Sequence, residues 1–87
     1  MTLDTDISDS VDAALRHDGK IPDPDQVMQE SPYSYTNTIL MRDFLLDVNH
    51  ELNKRDRNLD VDSLDLPTCM GDTVDQLCGD ILNAMSS

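Results

Sequence analysis

The most apolar part of the chain is residues 36–52, TNTILMRDFLLDVNHEL. Apolar side chains recur there at spacings of three and four, the period of one face of an α-helix. Thr36 or Asn37 can cap the start of such a helix, because a short oxygen-bearing side chain accepts from the free N–H groups of the first turn. The segment therefore predicts a helix at the centre of the core. Its expected core residues are Ile39, Leu40, Met41, Phe44, Leu45, Val48 and Leu52.

Two further helices are predicted on either side of this segment. A stripe with a period of four indicates a first helix from Asp4 to His17, and Gly19 is expected to end it; the stripe is Leu3, Ile7, Val11 and Leu15. A broad apolar face predicts a last helix that begins near Thr68. The residues of that face are Met70, Val74, Leu77, Cys78, Ile81, Leu82 and Met85.

The connections between these helices have contrasting lengths. Lys20 to Tyr35 carries three prolines and predicts a long loop that Ile21, Val27 and Met28 hold to the core. Residues 59–66 have room for one helical turn before Pro67. The expected fold is all-α: a small three-to-four-helix bundle, one domain over residues 1–87, with a long loop between helices 1 and 2.

The charge of the chain limits its partners. Eighteen acidic residues against six Lys and Arg give a formal net charge of −12. A phosphate backbone would repel such a surface, so nucleic acid is excluded, and anionic membranes are disfavoured on the same ground. A basic protein surface is the expected partner of a monomer, and it would be met quickly through electrostatic steering. The charge could alternatively serve solubility alone.

The sequence gives no sign of a membrane span, an exported form or an active site. It holds no run of 18 apolar residues, and its acidic start is unlike a signal peptide, so we expect a cytoplasmic protein. We predict no enzyme, because no catalytic arrangement surrounds His17 or His50. If Cys69 and Cys78 belong to one helix, as we expect, their backbones are about 13 Å apart, which is too far for a disulfide. No CxxC pair accompanies them, so we predict no metal site.

The layout resembles the acyl carrier proteins and the related peptidyl carrier domains. Residues 68–77, TCMGDTVDQL, are similar to the opening of that family's last helix. The stripe of Ile7, Val11 and Leu15 resembles its first helix. Residues 39–51 resemble its second, acidic recognition helix. The resemblance covers most of the chain and implies an acyl-carrier-protein-like bundle.

The resemblance also implies a prosthetic group. The family carries its cargo as a thioester on 4'-phosphopantetheine, attached to the serine of an Asp-Ser-Leu motif at the start of the second helix. Ser34, in the segment PYSYT at residues 32–36, takes the matching place, although Tyr33 stands where the family has Asp and Tyr35 where it has Leu. A phosphodiester there would meet the free N–H groups of a helix N-terminus.

A literal Asp-Ser-Leu does occur at residues 62–64. Only 24 residues follow Ser63, and Pro67 interrupts any long helix that starts there. That leaves no room for a recognition helix and the elements after it, so we do not favour Ser63 as the attachment site.

The resemblance finally implies how the protein works. It would shuttle acyl or aminoacyl groups between biosynthetic enzymes after loading by a phosphopantetheinyl transferase. Asp43, Asp47 and Glu51, spaced by four on the predicted outer face of the second helix, would dock on basic patches of these partners.

Two other functions stay open on the sequence. The charge of −12 also suits an acidic inhibitor or immunity-type protein whose carboxylates mimic nucleic-acid phosphates. Five methionines suit an adaptor that buries an apolar face in a partner, but they also suit an ordinary core in a chain with few aromatic residues, and we favour the core.

Overall fold

The computed structural model describes residues 2–86 and is built from helices. Within that range there is no strand, only an isolated antiparallel bridge between Val27 and Thr73. The prediction of a small all-helical bundle is thus confirmed. Its elements are α1 (Leu3–His17), α2 (Thr38–Asn53), a 3-10 helix (Val61–Ser63), α3 (Leu66–Gly71) and α4 (Val74–Ser86).

Helix α1 follows the predicted stripe closely. The Thr2 hydroxyl caps it by accepting from the Thr5 amide at 3.3 Å. Ile7, Val11 and Leu15 are almost wholly buried, as the period of four predicts. Gly19 comes directly after the Asp18 C-cap and adopts φ +75, a left-handed conformation that glycine reaches without steric cost.

Helix α2 packs against α1 and α3 and runs through the core. Asn37 is its N-cap, because its Oδ1 accepts from the Leu40 amide at 2.9 Å. Phe44 is buried against Tyr35, with ring centroids 4.8 Å apart. The expectation that Ile39 and Leu40 also belong to the core is wrong, since both side chains are exposed. They lie in the first turn of α2.

The C-terminal part differs from its prediction. The single helix expected from Thr68 is two helices, α3 and α4, separated by an extended Asp72 (φ −82, ψ 150). A capping box starts α4: the Thr73 hydroxyl accepts from the Gln76 amide at 3.2 Å, and the Gln76 side chain accepts from the Thr73 amide at 2.9 Å. These two bonds satisfy amides that a continuous helix would have paired internally, so the chain can break here.

The long loop before α2 is held by backbone hydrogen bonds to this break. The Met28 amide donates to the Asp72 carbonyl, and the Gln29 amide to the Met70 carbonyl, both at 2.9 Å. Met28 is buried as predicted, whereas Ile21 is 82% exposed and does not hold the loop to the core. Among the described helices, none is long and apolar enough to cross a membrane.

Candidate functional site

Ser34 lies on the surface of the loop that leads into α2. Its backbone takes the left-handed conformation, with φ 61, and the residue is exposed. Its neighbours on both sides, Tyr33 and Tyr35, are buried. The chain therefore turns outward at Ser34 alone, between two tyrosines that face the protein interior.

Both tyrosines are anchored through their phenolic oxygens. Tyr33 Oη donates to the Ile21 carbonyl at 2.7 Å and accepts from the Asp23 amide at 2.9 Å. Tyr35 Oη donates to Asp18 Oδ2 at 2.6 Å, beyond the end of α1. Burial raises the pKa of both phenols above the ordinary tyrosine value, so they remain protonated donors. These bonds fix the backbone on both sides of Ser34.

A shallow cleft connects Ser34 with the first turns of α2. Its walls include Lys20 from the loop and Leu40 and Asp43 from the helix. Lys20 Nζ lies 4.4 Å from the centroid of the Tyr35 ring, a cation–π distance. A group attached at Ser34 would thus have an apolar, an acidic and a basic side chain within one surface depression.

Thr38 is an exposed hydroxyl residue at the start of α2 that the sequence pattern did not single out. Ser34 lies three residues before the Asn37 cap, whereas Thr38 is the first residue of α2 and is exposed. In order, Asn37, Thr38 and Ile39 are the polar cap, an exposed hydroxyl residue and an exposed apolar residue. The signal was present in the sequence, but it required knowing which residue begins the helix.

The three carboxylates predicted to form one outer face have different surroundings. Asp43 is exposed, and no hydrogen bond or ion pair is found for it within residues 2–86. Asp47 is partly exposed and lies 3.3 Å from His17 Nδ1. Glu51 is only 5% exposed, so its placement on the outer face is wrong.

Glu51 is instead the centre of an internal ion-pair cluster. Its Oε2 accepts from Lys54 Nζ at 2.8 Å, and Arg55 and His17 lie 3.6 and 3.9 Å away. The hydrogen bond with Lys54 is the main reason that the pKa of Glu51 lies below its ordinary value. His17 is half-exposed and joins α1 to Asp47 and Glu51 on α2.

The outward face of α2 combines apolar and acidic side chains. Ile39 is 73% exposed and Leu46 is 43% exposed. They are seven residues apart, so they lie on one side of the helix with Asp43 between them. Beside them, Arg42 donates to Asp62 at 2.9 Å. The face is suited to contact with a partner that offers an apolar patch and a positive charge.

A second cluster of titratable side chains lies in the C-terminal part of the chain, around the break between α3 and α4. The ligand-forming atoms of Cys69, Asp72 and Asp80 all lie within 4.8 Å of one another. Burial and the neighbouring Asp80 raise the pKa of Asp72 to about 7, and burial raises the pKa of Cys69 to about 12. Both cysteines are free thiols, as expected.

Comparison with known protein families, with curated proteins and with solved structures gives no match for this chain.

Proposed function

We propose that this protein is a carrier-type domain, which presents a hydroxyl group near the start of an exposed acidic helix to partner enzymes. The hydroxyl would bear 4'-phosphopantetheine, and the arm would hold acyl or aminoacyl cargo as a thioester. The observation that carries the proposal is the grouping of exposed Ser34 and Thr38 around the N-terminus of α2, next to exposed Ile39.

The start of α2 offers a favourable place for a phosphodiester. The first amides of a helix point out of its N-terminus, and the helix dipole adds positive potential there. Asn37 satisfies the Leu40 amide, which leaves other amides of the first turn to hydrogen-bond with phosphate or water. This electrostatic argument applies most directly to Thr38, which begins the helix, and less to Ser34, which lies in the loop before it.

Partner recognition would use the outward face of α2. Ile39 and Leu46 would enter an apolar patch on the partner, and Asp43 would pair with a positive side chain at its edge. Asp47 would contribute less because it is already paired with His17. Glu51 would contribute nothing directly, since it is buried among positive side chains of the same chain.

The test is intact-mass spectrometry after incubation with coenzyme A and a phosphopantetheinyl transferase of broad specificity. We expect the mass of one phosphopantetheine arm to be added to the wild-type chain. Ser34→Ala, Thr38→Ala and Ser63→Ala would then identify the oxygen, with loss of the increment in Ser34→Ala or Thr38→Ala. An established carrier protein in the same reaction serves as the control for transferase activity.

An unmodified chain, with the control carrier loaded, would contradict the carrier proposal. Loss of the increment only in Ser63→Ala would contradict attachment at Ser34 or Thr38, because Ser63 belongs to the 3-10 helix and not to the segment that leads into α2.

The acidic face supports a second candidate function, inhibition of a basic protein without any modification. The −12 charge and the exposed Ile39–Asp43–Leu46 face favour it. It predicts a stable one-to-one complex with one basic partner that Asp43→Asn weakens. A carrier instead predicts weak, fast, salt-sensitive binding to several enzymes.

A further inference from the structure

We propose that Cys69, Asp72 and Asp80 form a binding site for a divalent cation of the zinc class. The three residues come from three successive parts of the chain: α3, the break after it, and the second turn of α4. Their ligand atoms already lie within 4.8 Å of one another. This inference is independent of the carrier function.

The buried polar atoms of this cluster point to a ligand. Asp72 Oδ2 and Asp80 Oδ2 are both buried, and within residues 2–86 no N–H or hydroxyl group donates to either; the two side chains can hydrogen-bond to each other only when one carboxyl is protonated. Cys69 is 1% exposed. Buried carboxylate oxygens are rarely left without a partner, because burial without one has a large desolvation cost. Two carboxylates this close also repel each other unless a proton or a cation lies between them.

The donor atoms select the class of cation. One thiolate sulfur and two carboxylate oxygens suit zinc, which accepts both kinds of donor in four-coordinate sites. Calcium and magnesium prefer oxygen donors alone and in larger number. A cavity beside the cluster is lined by Ser63, Thr68 and Asn83, together with Cys69 and Asp80, and it gives a fourth ligand such as water room to reach the ion.

The backbone holds the cluster in place. The Asp72 carbonyl accepts from the Met28 amide at 2.9 Å, and the Val74 amide donates to the Gln26 carbonyl at 3.1 Å. The break between α3 and α4 is thereby fixed by the same loop that carries Ser34. A bound ion would tie α3 to α4 across this break, and the Cys69 thiol would release its proton to solvent on binding.

The test uses the full chain, stripped with chelator and kept reduced, with Co²⁺ and Zn²⁺ as the only added ligands. We expect uptake of one Co²⁺ per chain with a thiolate-to-cobalt charge-transfer band in the near ultraviolet, and its removal by Zn²⁺. Zn²⁺ should also raise the melting temperature, because it binds the folded chain preferentially.

Matched variants assign the site. Cys69→Ser should abolish the charge-transfer band, and Asp80→Asn should weaken binding at least about 100-fold, since changes even outside the ligand set cost roughly 10–100-fold. Cys78→Ser is the control, because that thiol lies in α4 outside the cluster. Far-ultraviolet circular dichroism without metal establishes that each variant is folded; if Cys69→Ser is not, Asp80→Asn carries the assignment.

Three outcomes would overturn the proposal: no cobalt uptake by the wild-type chain, a band that Cys78→Ser removes and Cys69→Ser keeps, or binding that Asp80→Asn leaves unchanged. In the first case the two carboxylates would share a proton, and no cation would be needed.

Discussion

Replacing Tyr35 by Phe should loosen the loop that presents Ser34 without altering the core. The ring would keep its contact with Phe44, whose centroid is 4.8 Å away, while the hydrogen bond from Oη to Asp18 Oδ2 would be lost. That bond ties the segment before α2 to the C-terminal end of α1. Its removal therefore tests the anchoring of the candidate site directly.

The size of the effect follows from the surroundings of the bond. A hydrogen bond to an ionised group contributes about 1.5–3 kcal/mol. The Asp18 side chain is 40% exposed, so water can replace the lost donor, and we expect the lower end of that range, about 1.5 kcal/mol. For a domain of this size such a loss lowers the melting temperature by roughly 6–12 °C.

The assay is urea unfolding followed by circular dichroism, applied as a double-mutant cycle with Asp18→Ala. The coupling energy should be about 1–1.5 kcal/mol, because either single change already removes the bond. Tyr33→Phe paired with Asp18→Ala is the matched control. Its phenol bonds to Ile21 and Asp23 instead, so that cycle should be additive.

The reasoning would be refuted by a Tyr35–Asp18 coupling within about 0.3–0.5 kcal/mol of zero, the scatter of independent sites. Amide hydrogen exchange gives a second measurement on the same variants. Protection of the amides around Ser34 should fall in Tyr35→Phe, and unchanged protection would mean that the loop is held by other contacts.

Phe44→Ala should lower the free energy of unfolding by about 3–5 kcal/mol, so that much of the population is unfolded. Leu46→Ala on the exposed face should change this free energy by less than about 0.5 kcal/mol. Urea titration measures both. Arg57→Ala should lower the free energy of unfolding by about 1–3 kcal/mol, because it leaves the buried Asp6 carboxylate without the Arg57 Nε donor at 3.1 Å. Adding Asp6→Asn to Arg57→Ala should recover part of that loss. No recovery in the double variant would contradict this explanation. Asp72, whose pKa is raised when the chain folds, binds its proton more tightly in the folded state. In metal-free buffer the stabilisation from this bound proton should therefore be full below about pH 4 and be lost as the pH rises through about 7. Asp72→Asn should reduce this dependence of the urea unfolding midpoint on pH. A variant whose midpoint depends on pH as strongly as that of the wild type would contradict the prediction.

Local patterns were sufficient to predict the main helices. The period of four in Ile7, Val11 and Leu15 places these side chains on one side of α1, whichever element packs against that side. A short polar residue before an apolar run predicts a helix start, and Asn37 supplies the cap. These features involve residues within a few positions of one another, so the chain alone is enough to recognise them.

Failures of the sequence analysis concern residues whose surroundings come from distant parts of the chain. Glu51 has the spacing of a surface carboxylate, yet His17 of α1 and the basic side chains of Lys54 and Arg55 after α2 enclose it. The spacing of four groups Glu51 with Asp43 and Asp47, but it does not show what packs over Glu51 in the fold. Exposure of Ile39 is the opposite case: it stands in an apolar run at the start of α2, yet its side chain is 73% exposed.

The charge, the helical periodicity and the helix caps are properties of the sequence, because each depends on composition or on neighbours within one or two turns. The approach of Cys69, Asp72 and Asp80 depends on the break between α3 and α4, and the outward turn at Ser34 depends on anchors at Asp18, Ile21 and Asp23. Both arrangements require contacts that form only when separate segments pack together, and so they could be found only in the folded chain.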